Sequence, residues 1–184
     1  MTYSFQIVAN VDLMPRMPEI IQAVARSVSN TVKANLRDKD RNSRPEAGMP
    51  KSGYYGQAAN AVTTTVSGNE ATISIPKEGI RLHFYGGTVR PGAGKKALAI
   101  PVDPSVAMIW PSEAGGIATG GADDEPYHLI WPKGSDHGWI KDTETNDLLW
   151  LLVPKATIRA DRSILPHEGA IRKAIDEAME AVKP

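Results

Sequence analysis

The chain has 184 residues, and 21 Lys plus Arg balance 21 Asp plus Glu to a formal net charge of zero, which argues against a protein that coats nucleic acid by neutralising phosphates. There is no cysteine, so disulfides, thiolate nucleophiles, iron–sulfur clusters and cysteine zinc sites are excluded. No apolar stretch approaches the roughly 18 residues that span a bilayer, and no basic-then-apolar leader is present, so a soluble, intracellular protein is expected.

Residues 4–9 alternate, with Phe5, Ile7 and Ala9 on one side of a strand. Ile21, Val24, Ala25, Val28, Val32 and Leu36 then recur at helical spacing behind Pro18, which predicts a helix of about 18 residues with one apolar stripe. Residues 37–51 change character. Arg37, Lys39, Arg41, Arg44 and Lys51 stand against Asp38, Asp40 and Glu46 with almost nothing apolar, so a mobile charged loop or arm is expected, solvated or used to dock a partner.

Val62, Thr64 and Val66, the turn formers Ser67-Gly68-Asn69-Glu70, and Ala71, Ile73 and Ile75 predict a β-hairpin. One or two helical turns follow over residues 78–85, ended by Gly86-Gly87, and a short strand over 98–102. Residues 111–126 hold a glycine-rich run and then Asp123, Asp124 and Glu125, and read as a flexible loop. Residues 127–131, Trp139-Ile140 and 148–153 predict two consecutive hairpins. Ile171, Ala174, Ile175, Ala178, Met179 and Val182 predict a closing helix behind Pro166 and Glu168. The fold class is therefore α+β, with a mainly antiparallel sheet of hairpins packed with an N-terminal and a C-terminal helix in one domain, 1–184. Both helix stripes are candidates for faces that a free monomer exposes and an assembly buries.

The motifs that would carry chemistry fail one by one. Gly94-Lys95 lacks the upstream glycine and the following hydroxyl of a phosphate loop, having Val89 and Lys96 there. Gly92-Ala93-Gly94-Lys95-Lys96-Ala97 leads into Leu98-Ala99-Ile100-Pro101, a strand where a dinucleotide fingerprint needs a helix. No histidine pair has the spacing of a helical metal site, although His128 with Asp123 and Asp124, and His137 beside Asp136, leave a site assembled in space open. The serine-hydrolase elbow is absent, because His137 follows Gly134-Ser135-Asp136 where that pattern needs glycine. Trp110, Trp131, Trp139 and Trp150 admit a carbohydrate-binding reading, but three of them lie on or beside strands and read first as sheet core or subunit interface. No catalytic, cofactor or metal residue is assigned, which points to a protein that works through its surfaces.

One block has a family look: Ser52-Gly53-Tyr54-Tyr55-Gly56-Gln57-Ala58-Ala59, the hairpin, then Gly79-Ile80-Arg81-Leu82-His83-Phe84-Tyr85-Gly86-Gly87-Thr88-Val89, and Lys95-Lys96-Ala97-Leu98-Ala99-Ile100-Pro101. Val153-Pro154-Lys155, and Arg162-Ser163-Ile164-Leu165-Pro166 before the last helix, continue it. This resembles the virion-morphogenesis, or tail-completion, proteins of tailed bacteriophages and prophages over roughly residues 18–182. The resemblance implies a non-enzymatic subunit of the phage neck or tail end, located in the virion and in the host cytoplasm during assembly. It implies a ring of identical copies that joins other tail or neck proteins without cofactor, membrane or sequence-specific nucleic-acid binding. His83 then reads as a packing residue, and Gly86-Gly87 as the turn that follows an anchoring aromatic pair. The candidate interface residues are Arg37, Lys39, Arg41, Arg44, Lys51, Lys133, His137 and Trp139, and residues 37–51 and 133–137 are expected to be mobile alone and ordered on assembly. The alternative is a metal-dependent phage hydrolase or nuclease using His128 and His137 with Asp123 and Asp124.

Overall fold

The computed structural model describes residues 3–8, 17–43, 49–114, 117–119 and 125–182. Where one domain was expected, contacts divide the chain into two compact units: residues 1–43, 52–87 and 159–184 form the first, and residues 44–51 with 88–158 form the second.

The first unit is organised by helix α1 (Met17–Asn42), 26 residues long. Its stripe of Ile21, Val24, Ala25, Val28, Val32 and Leu36 is buried, against a sheet of strands β1 (Tyr3–Val8), β2 (Thr63–Ser67) and β3 (Glu70–Ile75) in the order β1-β3-β2. Both pairings are antiparallel, and β3 alternates as expected, with Ala71, Ile73 and Ile75 buried. Ala71 clusters with Met17, Ile21 and Ala25, while Ile73 and Ile75 join Val24, Val28, Val32 and Leu36. The α1 stripe is thus already covered within one chain, which corrects the expectation that it waits for assembly. Val62, just before β2, is buried, whereas all five residues of the strand are exposed.

Helices α2 (Tyr54–Ala61) and α3 (Ile80–Tyr85) complete this core through Ala58, Ala59 and Ile80. Gly86 follows α3 at φ 73°, a left-handed turn that favours glycine. Helix α4 (Glu168–Ala181) buries Ala174 and Ala178, and the Ser27 hydroxyl on α1 donates to the Ala174 carbonyl at 2.8 Å. Met179 stays 45 % exposed.

Helix α1 also absorbs the first part of the expected charged arm. Residues 37–42 are helical, Lys39 and Arg41 occupy the last turn, and Arg41 pairs with Asp38. Extending an existing helix adds one hydrogen bond per residue without a new nucleus, and cations suit its C-terminal dipole. Residues 44–48, and with them Arg44, lie outside the described residues.

In the second unit, strands β5 (Leu98–Pro101), β6 (Ile117–Thr119), β7 (Tyr127–Ile130), β8 (Gly138–Asp142) and β9 (Leu148–Val153) form one sheet in the order β5-β9-β8-β7-β6. The β7-β8-β9 meander matches the two expected hairpins, and its second turn is tied by the Asp142 carboxylate, which accepts from Glu144 N–H and Thr145 N–H. Strand β6, parallel to β7, interrupts the stretch 111–126 expected to be loop. Asp123 and Asp124 lie outside the described residues. Strand β4 (Gly87–Val89) pairs with β10 (Ala156–Ile158) in a small separate sheet.

One face of the larger sheet carries Ile140, Trp150 and Leu152, which form the core with Leu149 and Val106. Leu149 and Trp150 are adjacent yet both buried because the β8–β9 register shifts at Ile140/Lys141, as a bulge allows. Gly138 is required by packing: a Cβ there would lie 2.6 Å from the Trp131 ring and 2.7 Å from the Ile130 carbonyl oxygen.

Candidate interaction surfaces

Lys39, expected on a solvated arm, is turned inward. Its Nζ lies 2.5 Å from Asp161 Oδ2 and donates to Ser163 Oγ at 2.7 Å, and it stands 5.5 Å from the Tyr55 ring centroid. Asp161 also caps the short 3-10 turn Arg162–Ile164 by accepting from Ser163 N–H at 3.0 Å. On the preceding turn of α1, the Asn35 amide donates to the Ser163 and Ile164 carbonyls. Burial raises the Asp161 carboxyl, but hydrogen bonds from Lys39 and Ser163 outweigh it and hold the group below the usual carboxylate range. This ion pair pins α1 to the segment before α4.

His83 sits between two tyrosines. It stacks on Tyr54 at 4.8 Å between centroids, and its Nδ1 lies 3.3 Å from the Tyr55 hydroxyl. Burial lowers its pKa, an effect that the positive Lys39 reinforces and Asp161 opposes. Burial likewise raises Tyr54 to about 12, with Tyr55 and Glu78 adding to it, while the Tyr54 hydroxyl donates to the Glu78 carbonyl at 2.6 Å. The Arg162 guanidinium lies 4.6 Å from the Phe84 ring and 4.7 Å from that of Tyr85, a cation–π clamp on the aromatic pair. The packing role expected of His83 agrees with this geometry. The inward pairing of Lys39 with Asp161, and the Arg162 clamp, were not legible in the sequence because these partners are distant in the chain; the local signal was Asp161-x-Ser163, a capping pattern.

The other expected interface residues divide between the units. Arg37 and Arg41 line a shallow groove of about 430 Å³ beside Asp38, Asp40 and Gly56 at the end of α1, where Asp40 Oδ1 accepts from Gly56 N–H at 3.0 Å. Lys51 is exposed just before α2. Lys133, His137 and Trp139 belong to the second unit, at the β7–β8 turn. Lys133 is exposed, and the His137 ring lies 2.9 Å from Asp136 Oδ1 and 3.1 Å from Ser135 Oγ. The hydrogen bond with His137 is the main reason that the Asp136 carboxyl sits below its ordinary range. Trp139 is half-buried, and its indole N–H is enclosed without a partner among the described residues.

His128 and His137 are not brought together. His128 faces Lys141 across the hairpin, and residue 137 lies four positions from 141 along the strand direction, about 13 Å away at ~3.3 Å per residue. Among the described residues no group of three His, Asp or Glu is arranged to hold a metal ion, and no helix is long and apolar enough to cross a membrane.

Among the described residues, the two most exposed large apolar side chains, Met108 and Trp110, sit on one loop, of which the sequence had singled out Trp110 alone. After the 3-10 turn Pro104–Val106, whose Val106 anchors it in the core, Met108 is 76 % exposed, Ile109 42 % and Trp110 64 %. Beneath this crest lies a cleft of about 270 Å³ lined by Ala99, Pro101, Ala107, Met108, Ile109, Trp110 and Trp150. Its lining carries no charge, so it suits apolar side chains. The signal in the sequence was Met108-Ile109-Trp110, three large apolar residues in a loop bounded by Pro104 and Pro111. Comparison with protein-family models, curated proteins and solved structures finds no match to this chain.

Proposed function

We propose that this chain is a non-enzymatic building block of a phage or prophage virion, a tail-completion or head–tail joining subunit that works as a ring of copies docked on tail or neck proteins. The observation that carries the reading is the apolar crest Met108–Trp110 over its uncharged cleft. A cluster of exposed large apolar side chains, unlike apolar residues scattered singly, marks an interaction site. Covering it returns roughly 25 cal/mol per Å², against which association entropy must be set. The family resemblance of the sequence supplies the kind of assembly, and the crest supplies a place for a neighbour to bind.

The test is light scattering and negative-stain electron microscopy of concentrated protein, alone and with cognate tail-tube or neck protein. Ring-shaped particles or a stable complex are expected, and a Met108→Ser/Trp110→Ser variant should lose them while retaining its circular dichroism. A monomer that binds neither itself nor those proteins, or turnover of a substrate abolished by one polar substitution without unfolding, would overturn the proposal.

A further inference from the structure

We infer that the free edge of β2 is a strand-addition site whose occupant is strand β1 of a second copy, so that the sheet runs head to tail from copy to copy. This deepens the assembly reading above and rests on it. Among the described residues, the order β1-β3-β2 leaves β2 open at one side of the sheet and β1 at the other. All five residues of β2 are exposed, and among the described residues β3 is its only strand partner.

An open edge presents a row of unpaired N–H and C=O groups, and proteins usually blunt it with charge, proline or a bulge. Thr63-Thr64-Thr65-Val66-Ser67 has no charge and no proline, and its register with β3 is unbroken. Three threonines and a valine also have high strand propensity. Strand β1, Tyr3-Ser4-Phe5-Gln6-Ile7-Val8, is likewise free of charge and proline and pairs with β3 without a shift. The two open edges therefore match in length to within one residue and can meet without opposing like charges.

A groove accompanies the β2 edge. About 270 Å³ of space lies between β2 and α1, lined by Gln22, Ala25 and Arg26 on the helix and by Thr64 and Val66 on the strand. An added strand would direct every second side chain into it, which is how peptide strands are read beside a helix at a sheet edge. Both β1 and β2 run antiparallel to β3 and so point the same way. Copies related by rotation about an axis along the strands would pair β2 with the neighbour's β1 in parallel, a heterologous contact that closes a ring or propagates. A five-residue edge spans only about 17 Å, too little to reach by itself the ~800 Å² per partner of a standard interface. It sets direction and spacing, and further surfaces must add affinity.

The absence of cysteine makes the test clean. Thr65 and Gln6 both stand opposite Thr72, on its two sides, so within one chain they are about 9.6 Å apart, beyond the ~7 Å that a disulfide can bridge. A Thr65→Cys copy mixed with a Gln6→Cys or Ser4→Cys copy should form a mixed disulfide dimer under oxidation, and Thr65→Cys alone should not. Val66→Lys should raise the concentration at which the wild type assembles by about tenfold or more, with Thr65→Lys as the second variant if the first does not fold. Dominant Thr65→Cys self-cross-linking would overturn the β1 occupant. Wild-type assembly that persists in both lysine variants without mixed disulfides would overturn the inference and leave the assembly reading standing. A wild type that stays monomeric at the highest attainable concentration, without cross-links, would overturn both.

Discussion

Lys39, Asp161 and His83 show how one side chain's environment sets its role. Lys39 and Asp161 form a hydrogen-bonded ion pair beside an imidazole whose pKa burial lowers. Both His83 and Asp161 titrate below their ordinary values in the folded chain, so the unfolded chain binds protons first as pH falls. Their contributions to stability are complete above the ordinary values and are lost as pH falls through the folded ones. Denaturant midpoints should therefore decline below about pH 6.5 through His83 and again below about pH 3.9 through Asp161. In His83→Gln the first decline should flatten and the second persist. An unchanged profile in that variant would show that His83 does not contribute.

At the scale of elements, the end of α1 is the instructive case. Residues 37–42 have no apolar stripe of their own, yet Lys39 and Asn35 dock the last turns on the segment around Ser163. Amide hydrogen exchange of the isolated chain should show protection continuing past Leu36 to Asn42. Lys39→Met should reduce protection in that last turn and cost about 1 kcal/mol or less, since the Asp161 side chain is 37 % exposed and water screens the pair. Rapid exchange over the whole stretch in the wild type would restore the mobile-arm expectation. The β2–β3 hairpin, the β7-β8-β9 meander and α4 were legible because their periods of two and 3.6 are written locally. The three-residue strands β4, β6 and β10 were not, because runs so short carry no period and exist through pairing partners elsewhere.

At the scale of the whole molecule, two cores stand apart in composition. The first is aliphatic and alanine-rich around Leu36, Ile73 and Ile164; the second centres on Trp150, which is 1 % exposed and meets Tyr127 edge-on at 5.7 Å. Trp150→Ala should cost about 3–5 kcal/mol within the second unit. Hydrogen exchange should then show loss of protection over β5 and β7–β9 while α1 and β3 keep theirs. Equal loss in both units would mean that they unfold as one.

Of the candidate interface residues, Lys133, His137 and Trp139 lie near one another because a hairpin turn keeps sequence neighbours together. The crest at Met108 was overlooked because a short apolar run in a loop looks the same whether it is buried or exposed. By itself the sequence determined the α+β class, the apolar stripe of α1, the hairpins and the closing helix, since each follows from a repeat confined to a few turns or residues. Only the tertiary structure decided that Lys39 faces inward to a hydroxyl 124 positions along the chain, that contacts form two units, and that among the described residues β2 and Met108–Trp110 remain open. Those outcomes depend on which distant surfaces meet, and a local pattern encodes a side chain's preference for burial without specifying the partner that will cover it.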